Sequence, residues 1–201
     1  MKKILILPVL AALPVTAFAE SDSSHIRPFI GYGISLASTH HLNIENDGHN
    51  AVTADGISFN DNNIGNFVFG IEMDDMMALS LNVSLDSTKT KVHGGDTTTE
   101  KSNEISAEFD IYLTRGSNFK PFVSLGAGYM SLDGTYKTSG AIFALGIGCR
   151  QYVTDNIYLG ANLSYNLSTE MNIKEVNGIN VDDITMRMTG FDLAIRAGYR
   201  F

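Results

Sequence analysis

The sequence contains one cysteine, Cys149, and no tryptophan among its 201 residues. A single thiol cannot close an intramolecular disulfide, which excludes the disulfide-stapled secreted scaffolds. After the first twenty residues there is no run of about 18 apolar residues, so no transmembrane helix is predicted. Basic residues are scarce, 14 against 22 acidic ones. This balance argues against a nucleic-acid partner, which would require a basic surface.

The first residues have the features of an export signal. Lys2 and Lys3 precede a short apolar stretch at 4–13, and Ala17-Phe18-Ala19 has the small-x-small pattern of a cleavage site. This arrangement predicts a cleaved signal peptide over residues 1–19 and one domain over residues 20–201. No cysteine lies near the cut, so a lipoprotein is not expected.

Strict alternation of apolar and polar residues dominates the chain from residue 26 onward. A period of two residues indicates β-strands. In the closing segment, "FDLAIRAGYRF", one row is apolar and the other carries Asp192, Arg196 and Arg200 between small residues. Most of the alternating segments have about the nine to eleven residues that a tilted transmembrane strand needs. The eight predicted strands are 26–36, 64–73, 77–85, 105–113, 121–130, 141–152, 157–167 and 191–201.

The connections between these strands alternate in length. Long polar connections are predicted at 37–63, 86–104, 131–140 and 168–187, and short ones at 74–76, 114–120 and 153–156. Alternation of long and short connections, together with an even number of strands, is typical of a transmembrane β-barrel. The sequence thus predicts an all-β fold, an eight-stranded antiparallel up-and-down barrel with short periplasmic turns and four longer extracellular loops. Both termini would be periplasmic.

The composition of the two rows favours a membrane barrel over a soluble sheet. One row holds the large apolar residues, while the other is rich in glycine and serine with a few charges. A narrow eight-strand lumen must be filled by small and polar groups, whereas glycine on a solvated sheet face would only weaken the strands. A periplasmic β-sandwich remains the alternative.

Four stretches carry a family resemblance: "RPFIGYGISL", "FKPFVSLGAGYM", "ALGIGCRQYVTDNIYLGANLSYNL" and "IRAGYRF". They resemble the small outer-membrane β-barrel domain proteins of Gram-negative bacteria, the broad group that includes OmpA- and OmpX-type barrels. The resemblance implies an outer-membrane location. It also implies that Tyr199 and Phe201 form an assembly signal read by the outer-membrane assembly machinery. Without tryptophan, the interfacial girdle would use tyrosine and phenylalanine.

Charged residues on the inward row form the candidate site. Buried charges must be paired or neutralised, so we predict a lumenal ion-pair network in which Arg150 and Arg196 bridge acidic partners. Topology places most of these residues in the periplasmic half of the lumen and the two central carboxylates nearer its middle. The network would either gate a small pore or plug the barrel. Its predicted members are Glu72, Glu108, Asp110, Arg150 and Arg196, with Arg200 nearby.

Catalytic, metal and cofactor sites are not predicted. The five histidines, at positions 25, 40, 41, 49 and 93, lie near the N-terminus or in predicted loops. A lipid hydrolase needs a nucleophile within reach of a positioned base, and no such pair is evident. The first long loop is acidic, with Glu45, Asp47, Asp55 and Asp61, and could hold divalent cations or remain simply solvated.

We therefore expect a non-enzymatic, porin-like outer-membrane barrel with a structural or surface-interaction role in the cell envelope. A narrow passive channel and an adhesin acting through residues 38–62 are the alternatives. Expected partners are outer-membrane lipid, lipopolysaccharide, the assembly machinery and periplasmic chaperones. A monomer is expected.

Overall fold

The computed structural model describes residues 26–46, 49–57, 63–91, 97–134, 136–176 and 178–201. The predicted signal peptide, His25, Asp47, Asp61 and His93 lie outside the described residues. The eight wall strands are β1 (Ile26–Asn46), β3 (Asn63–Met73), β4 (Met77–Lys91), β5 (Thr97–Tyr112), β6 (Phe119–Asp133), β7 (Tyr136–Tyr152), β8 (Ile157–Ser168) and β12 (Ile184–Arg200). Shorter strands are β2 (His49–Ile57), β9 (Met171–Asn172), β10 (Glu175–Val176) and β11 (Ile179–Asn180).

The wall strands form a closed antiparallel barrel, as the sequence predicts. Each strand pairs with its neighbour along the chain, and β1 pairs with β12 to close the ring. At the closure Ile30 lies opposite Tyr199 and Ile34 opposite Ile195. Closure satisfies the edge hydrogen bonds that a strand in hydrocarbon could not otherwise make.

The two predicted rows face opposite sides of the wall. Leu125, Leu145 and Ile147 on the large apolar row are 58%, 60% and 60% exposed. Asp110 and Glu72 on the other row are 0% and 1% exposed. The large apolar side chains therefore form the outer surface, and the charged residues are sequestered in the lumen.

Glycine on the inner row allows aromatic rings to lie close to the wall. A Cβ placed on Gly148 would come within 2.5 Å of the Phe122 ring, and one on Gly70 within 2.5 Å of the Phe29 ring. The glycines thus make room for large neighbours across the strand pair, a close approach that only a residue without a side chain permits.

Besides small and polar groups, the inner face carries two clusters of large apolar side chains. One buried cluster contains Phe29, Val68, Ala78, Tyr112, Phe122, Tyr152 and Tyr158. A second contains Met130, Leu132, Ile142, Met171, Ile173, Met186 and Met188. In the first cluster, glycines opposite the rings provide the space; in the second, the segment after β8 adds Met171 and Ile173 to the inner face. The sequence pattern of one strand does not reveal either arrangement.

The long connections contain more strand than the sequence predicts. β1 continues to Asn46, and β6 and β7 extend through most of the predicted loop 131–140. Pairing between β4 and β5 reaches Lys91 opposite Thr97. The outer face of these extensions is polar, so they lack the outward apolar row that marks the other strands. Their apolar side chains, such as Leu132 and Ile44, belong to or pack against the buried methionine-rich cluster.

The short connections are tight, as predicted. In the β3–β4 turn, Asp74 and Asp75 adopt φ values of 51° and 57°, a left-handed conformation that aspartate tolerates better than most residues. We call the end of the barrel with these turns and the C-terminus the short-turn end, and the opposite one the long-loop end. The described residues contain no helix that is long and apolar enough to span a membrane.

Candidate functional site

The short-turn half of the lumen is filled by a cluster centred on Glu72, which is 1% exposed. Its carboxylate accepts hydrogen bonds from Lys120 Nζ at 2.5 Å and Arg200 Nη1 at 3.1 Å. The Tyr152 hydroxyl donates to its other oxygen. Two cations and a phenol from three other strands thus converge on one buried carboxylate, which ties β3, β6, β7 and β12 together across the lumen.

Aromatic rings surround the cations of this cluster. Lys120 Nζ lies 5.0 Å from the centre of the Tyr112 ring, and the Arg200 guanidinium lies 4.1 Å from that of Tyr152. The Arg150 guanidinium lies 4.6 Å from the ring centre of Tyr158. Such contacts favour a cation over a ring face. These ring contacts stabilise buried cations that carboxylates alone do not fully surround.

A second tier of charges crosses the middle of the lumen. Arg150 Nη2 donates to Asp110 Oδ2 at 3.2 Å. Arg196 donates through both terminal nitrogens to the two oxygens of Glu108, at 2.8 and 3.2 Å. Asn82 Nδ2 also donates to Glu108, at 3.1 Å. The fork-shaped Arg196–Glu108 pair is the strong, directional form of an ion pair.

The predicted site residues therefore lie together in the lumen, in two groups. Arg150 pairs with Asp110, and Arg196 pairs with Glu108. The carboxylate of Glu72 is bonded instead by Lys120 and Arg200.

Lys120 is the member that the sequence reasoning missed. The alternation predicts that it belongs to the short turn 114–120, but Lys120 lies in β6 and is 2% exposed. The alternation nevertheless indicated where its side chain points. Lys120 is two and four residues from Phe122 and Ser124, so all three side chains lie on the same face of β6, which is the inner one. The tyrosines that stack on the cations were also missed.

Asp75 links this cluster to the turn at the barrel end. Its side chain is 33% exposed and lies 3.2 Å from Lys120 Nζ and 3.7 Å from Arg27. Partial burial alone would raise the pKa of Asp75, but the hydrogen bond and charge of Lys120 outweigh it. The pKa of this carboxyl is therefore below its usual value.

The predicted assembly signal lies on the outer surface at the short-turn end. Tyr199 and Phe201 are 43% and 48% exposed, and their ring centres are 5.1 Å apart. The Phe201 amide donates to the Pro28 carbonyl at 2.9 Å, so the last residue is fixed to β1. Both rings are free of the lumen and accessible from outside the barrel.

Above the Arg196–Glu108 pair the lumen opens into a cavity of about 420 Å³. Serines line much of its wall together with Asn66, Asn82 and Asn162. Glu104 and Asp192 also line it; Ser106 donates to Glu104 at 2.9 Å, and Ser35 donates to Asp192. The lumen is therefore filled in its short-turn half and hollow further up.

Other candidate sites can be placed only in part. Among the described residues, no group of three or more histidine, cysteine or acidic side chains is arranged to hold a metal ion. The side chains of His40, His49 and Asp55 are outside the described part of the structure. The proposed cation-holding role of the first long loop therefore remains a prediction.

Comparisons with solved structures agree with this fold. OprG of Pseudomonas aeruginosa matches with 16% identity over 87% of this chain and 96% of its own, at a TM-score of 0.59. The outer membrane protein AlkL matches with 16% identity over 91% of this chain and 94% of its own, at a TM-score of 0.64. At these identities the likeness concerns the fold alone. A comparison of this sequence with curated proteins finds no match.

A family model, described as the outer membrane protein beta-barrel domain, matches residues 5–201. This match covers nearly the whole chain and includes every wall strand described above. With the outward apolar surface and the closed eight-stranded barrel, it assigns the protein to the outer membrane. The chain belongs to the outer membrane β-barrel domain family.

Proposed function

We propose that this protein is a closed, non-catalytic barrel that reinforces the outer membrane and presents extended hairpins at the cell surface. The observation that carries the proposal is the filled short-turn half of the lumen. Glu72, Asp110 and Arg150 there are 1%, 0% and 3% exposed. A water-filled path would leave these groups hydrated, and eight strands enclose little free bore.

The pairing of the charges supports a structural role over a catalytic one. Glu72, Glu108 and Asp110 each contact a cation. Buried carboxylates paired in this way hold strands in register. A catalytic carboxylate would instead be placed beside a nucleophile or in a cleft, whereas Glu72 and Asp110 do not line the cavity.

The length of the wall strands supports presentation of the long-loop end. A membrane-spanning strand needs about nine to eleven residues, whereas β1 has 21 and β7 and β12 have 17 each. The extra residues extend the barrel beyond the hydrocarbon on the long-loop side. In this proposal the short-turn end and both termini face the periplasm, and lipopolysaccharide surrounds the outer half.

Closure of the sheet supports a monomer. The β1–β12 pairing leaves no wall strand with an unpaired edge near the short-turn end. Tyr199 and Phe201, on the outer surface, would then meet the assembly machinery during insertion, after delivery by periplasmic chaperones.

Conductance in planar bilayers tests the closed barrel. We expect the refolded protein to insert without giving discrete current steps, because the ion pairs and rings obstruct the short-turn half. Folding is checked separately by the shift in gel mobility on boiling. Uniform steps that change in Arg150→Ala, but not in the outward-facing Val153→Ala, would show a channel and contradict the proposal.

A further inference from the structure

Methionine is concentrated on the inner face of the barrel towards the long-loop end. Four of the seven members of the buried methionine-rich cluster are Met130, Met171, Met186 and Met188. Methionine makes up only 8 of the 201 residues of the chain, so its share of this cluster is far above its share of the sequence. The ion pairs in the other half of the lumen do not involve these side chains.

Two of the thioethers meet beside a glycine. Met130 on β6 lies opposite Gly140 on β7. A Cβ placed on Gly140 would come within 2.5 Å of Met171 Cγ and 3.2 Å of its Sδ. Because Gly140 has no side chain, the thioether of Met171 lies over it, next to Met130. Directly opposed Cβ positions on neighbouring strands are only about 4.5–5.5 Å apart.

A third thioether comes from the closing strand of the barrel. Met186 on β12 lies opposite Met171 on β9, and both are 0% exposed. Met188 follows two residues later on the same face of β12 and is also buried. A methionine sulfur lies two bonds beyond its Cβ, so the backbone places the sulfurs of Met130, Met171 and Met186 within reach of one point.

The donors of this cluster suit one class of metal ion. Thioethers are soft ligands and select soft ions such as copper(I). Silver(I) has the same charge and the same ligand preference. Hard ions such as Mg²⁺ require oxygen ligands, whereas the buried members of the cluster are methionine, leucine and isoleucine. The cluster therefore discriminates between ions by the type of donor.

Such an ion would need no preformed void. A metal–sulfur bond is about 2.3 Å long, as in zinc sites, whereas non-bonded heavy atoms lie about 3.5–4.0 Å apart. Thioethers in contact can therefore close around an ion through small rotamer changes, which the three rotatable bonds of methionine permit. Met130 and Met188 also line the lumenal cavity of about 420 Å³, which gives the ion a route to the cluster.

We propose that Met130, Met171 and Met186 form a lumenal thioether site for a soft monovalent metal ion, copper(I) or silver(I). The site goes beyond the structural role proposed above. Equilibrium binding of an ion does not require the barrel to conduct, so the bilayer experiment and the metal titration can fail separately.

The test is titration of the refolded full-length barrel in lipid nanodiscs with silver(I) in chloride-free buffer, followed by the methyl NMR signals of its methionines. The Cys149→Ala variant serves as the parent, because Cys149 is the one thiol of the chain and a thiolate would compete for the ion. We expect saturation at one ion per barrel, with shifts at Met130, Met171 and Met186. Mg²⁺ and Zn²⁺, which prefer other ligands, should leave these signals unchanged.

Two variants locate the ion. Met171→Leu and Met186→Leu each remove one sulfur with little change of volume, a swap that buried cores tolerate. Loss of a group that only orients a metal ligand costs about 10–100-fold in affinity, so loss of a ligand should weaken silver binding at least about tenfold. Met77→Leu is the matched control, because Met77 lies opposite Met73 at the β3–β4 turn, and should bind as the parent does. Heat-modifiability verifies that each variant is folded.

Three results would overturn the proposal. Unchanged silver affinity in both Met171→Leu and Met186→Leu would place the ion elsewhere. Shifts of the Met73 and Met77 signals at the same silver concentration as those of the cluster would show a general affinity of thioethers rather than a built site. Absence of any saturable shift in the folded parent would show that the cluster serves packing alone.

Discussion

Replacing Glu72 by alanine is expected to lower the free energy of unfolding by about 3–5 kcal/mol, the cost typical of breaking a buried ion pair from one side. The reason is that Lys120, whose side chain is 3% exposed, would lose its closest acceptor, and Arg200 would lose one of its partners. Unfolding in urea from lipid vesicles, followed by gel mobility, measures the change.

Two controls separate the buried pair from general effects of charge. Asp75→Asn removes the charge of a carboxylate that also contacts Lys120 but is 33% exposed. Asparagine tolerates the left-handed φ of 57° at this position, so the substitution should cost no more than about 1 kcal/mol. The double variant Glu72→Ala with Lys120→Met removes both charges, and should recover part of the loss. If Glu72→Ala lowers the free energy of unfolding no more than Asp75→Asn does, the Glu72 cluster does not hold the barrel together.

Arginine substitutions at two equally exposed positions are expected to lower the free energy of unfolding by different amounts. One side chain faces the bilayer midplane, and the other lies near its interface. Leu145 and Val153 are both 60% exposed. Leu145 lies opposite Leu125 and Tyr165 in the middle of the wall, whereas Val153 lies in a short turn. Leu145→Arg should cost about 2–4 kcal/mol and Val153→Arg about 0–1 kcal/mol, since arginine is penalised at the bilayer midplane but not near its interface.

The same urea titration in vesicles measures both variants. In a water-soluble barrel neither substitution would matter, because both side chains would already be in water. Equal and small costs would therefore contradict the lipid-facing assignment of the outer row.

The faces of the strands could be predicted because alternation is a local property. Each side chain of a strand points opposite to its neighbour, so the parity of Leu145 or Glu108 follows from the sequence around it. Two irregularities between described wall strands interrupt this parity: the register of β1 against β12 shifts between Ser35 and Ala37, and that of β3 against β4 shifts between Asn63 and Asn66. A bulge of this kind leaves little trace in composition.

The partners of the lumenal charges could not be predicted in the same way. Glu72 meets Lys120 and Arg200, which are 48 and 128 residues away. Which inward residues share a level depends on the stagger between strands around the whole barrel. The sequence identified Glu72 and Arg150 as inward-facing but could not assign Glu72 to Lys120 rather than to Arg150.

The long-loop end was predicted least well. Hairpin residues such as 86–91 are polar on both faces, so no apolar row marks them as strands. The contribution of Met171 and Ile173 to the buried methionine-rich cluster depends on a segment that continues past β8 and pairs with β12. Such pairing is set by the tertiary structure rather than by local preference.

Accessibility of spin labels along β7 tests the central claim, that hydrocarbon touches the large apolar row. Single cysteines at 142, 143, 144, 145 and 147, in a Cys149→Ala background, are labelled and measured in lipid vesicles with oxygen and a nickel chelate. We predict high oxygen and low nickel accessibility at 143, 145 and 147, and low accessibility to both reagents at 142 and 144. The opposite phase, or nickel reaching 143, 145 and 147, would contradict the account.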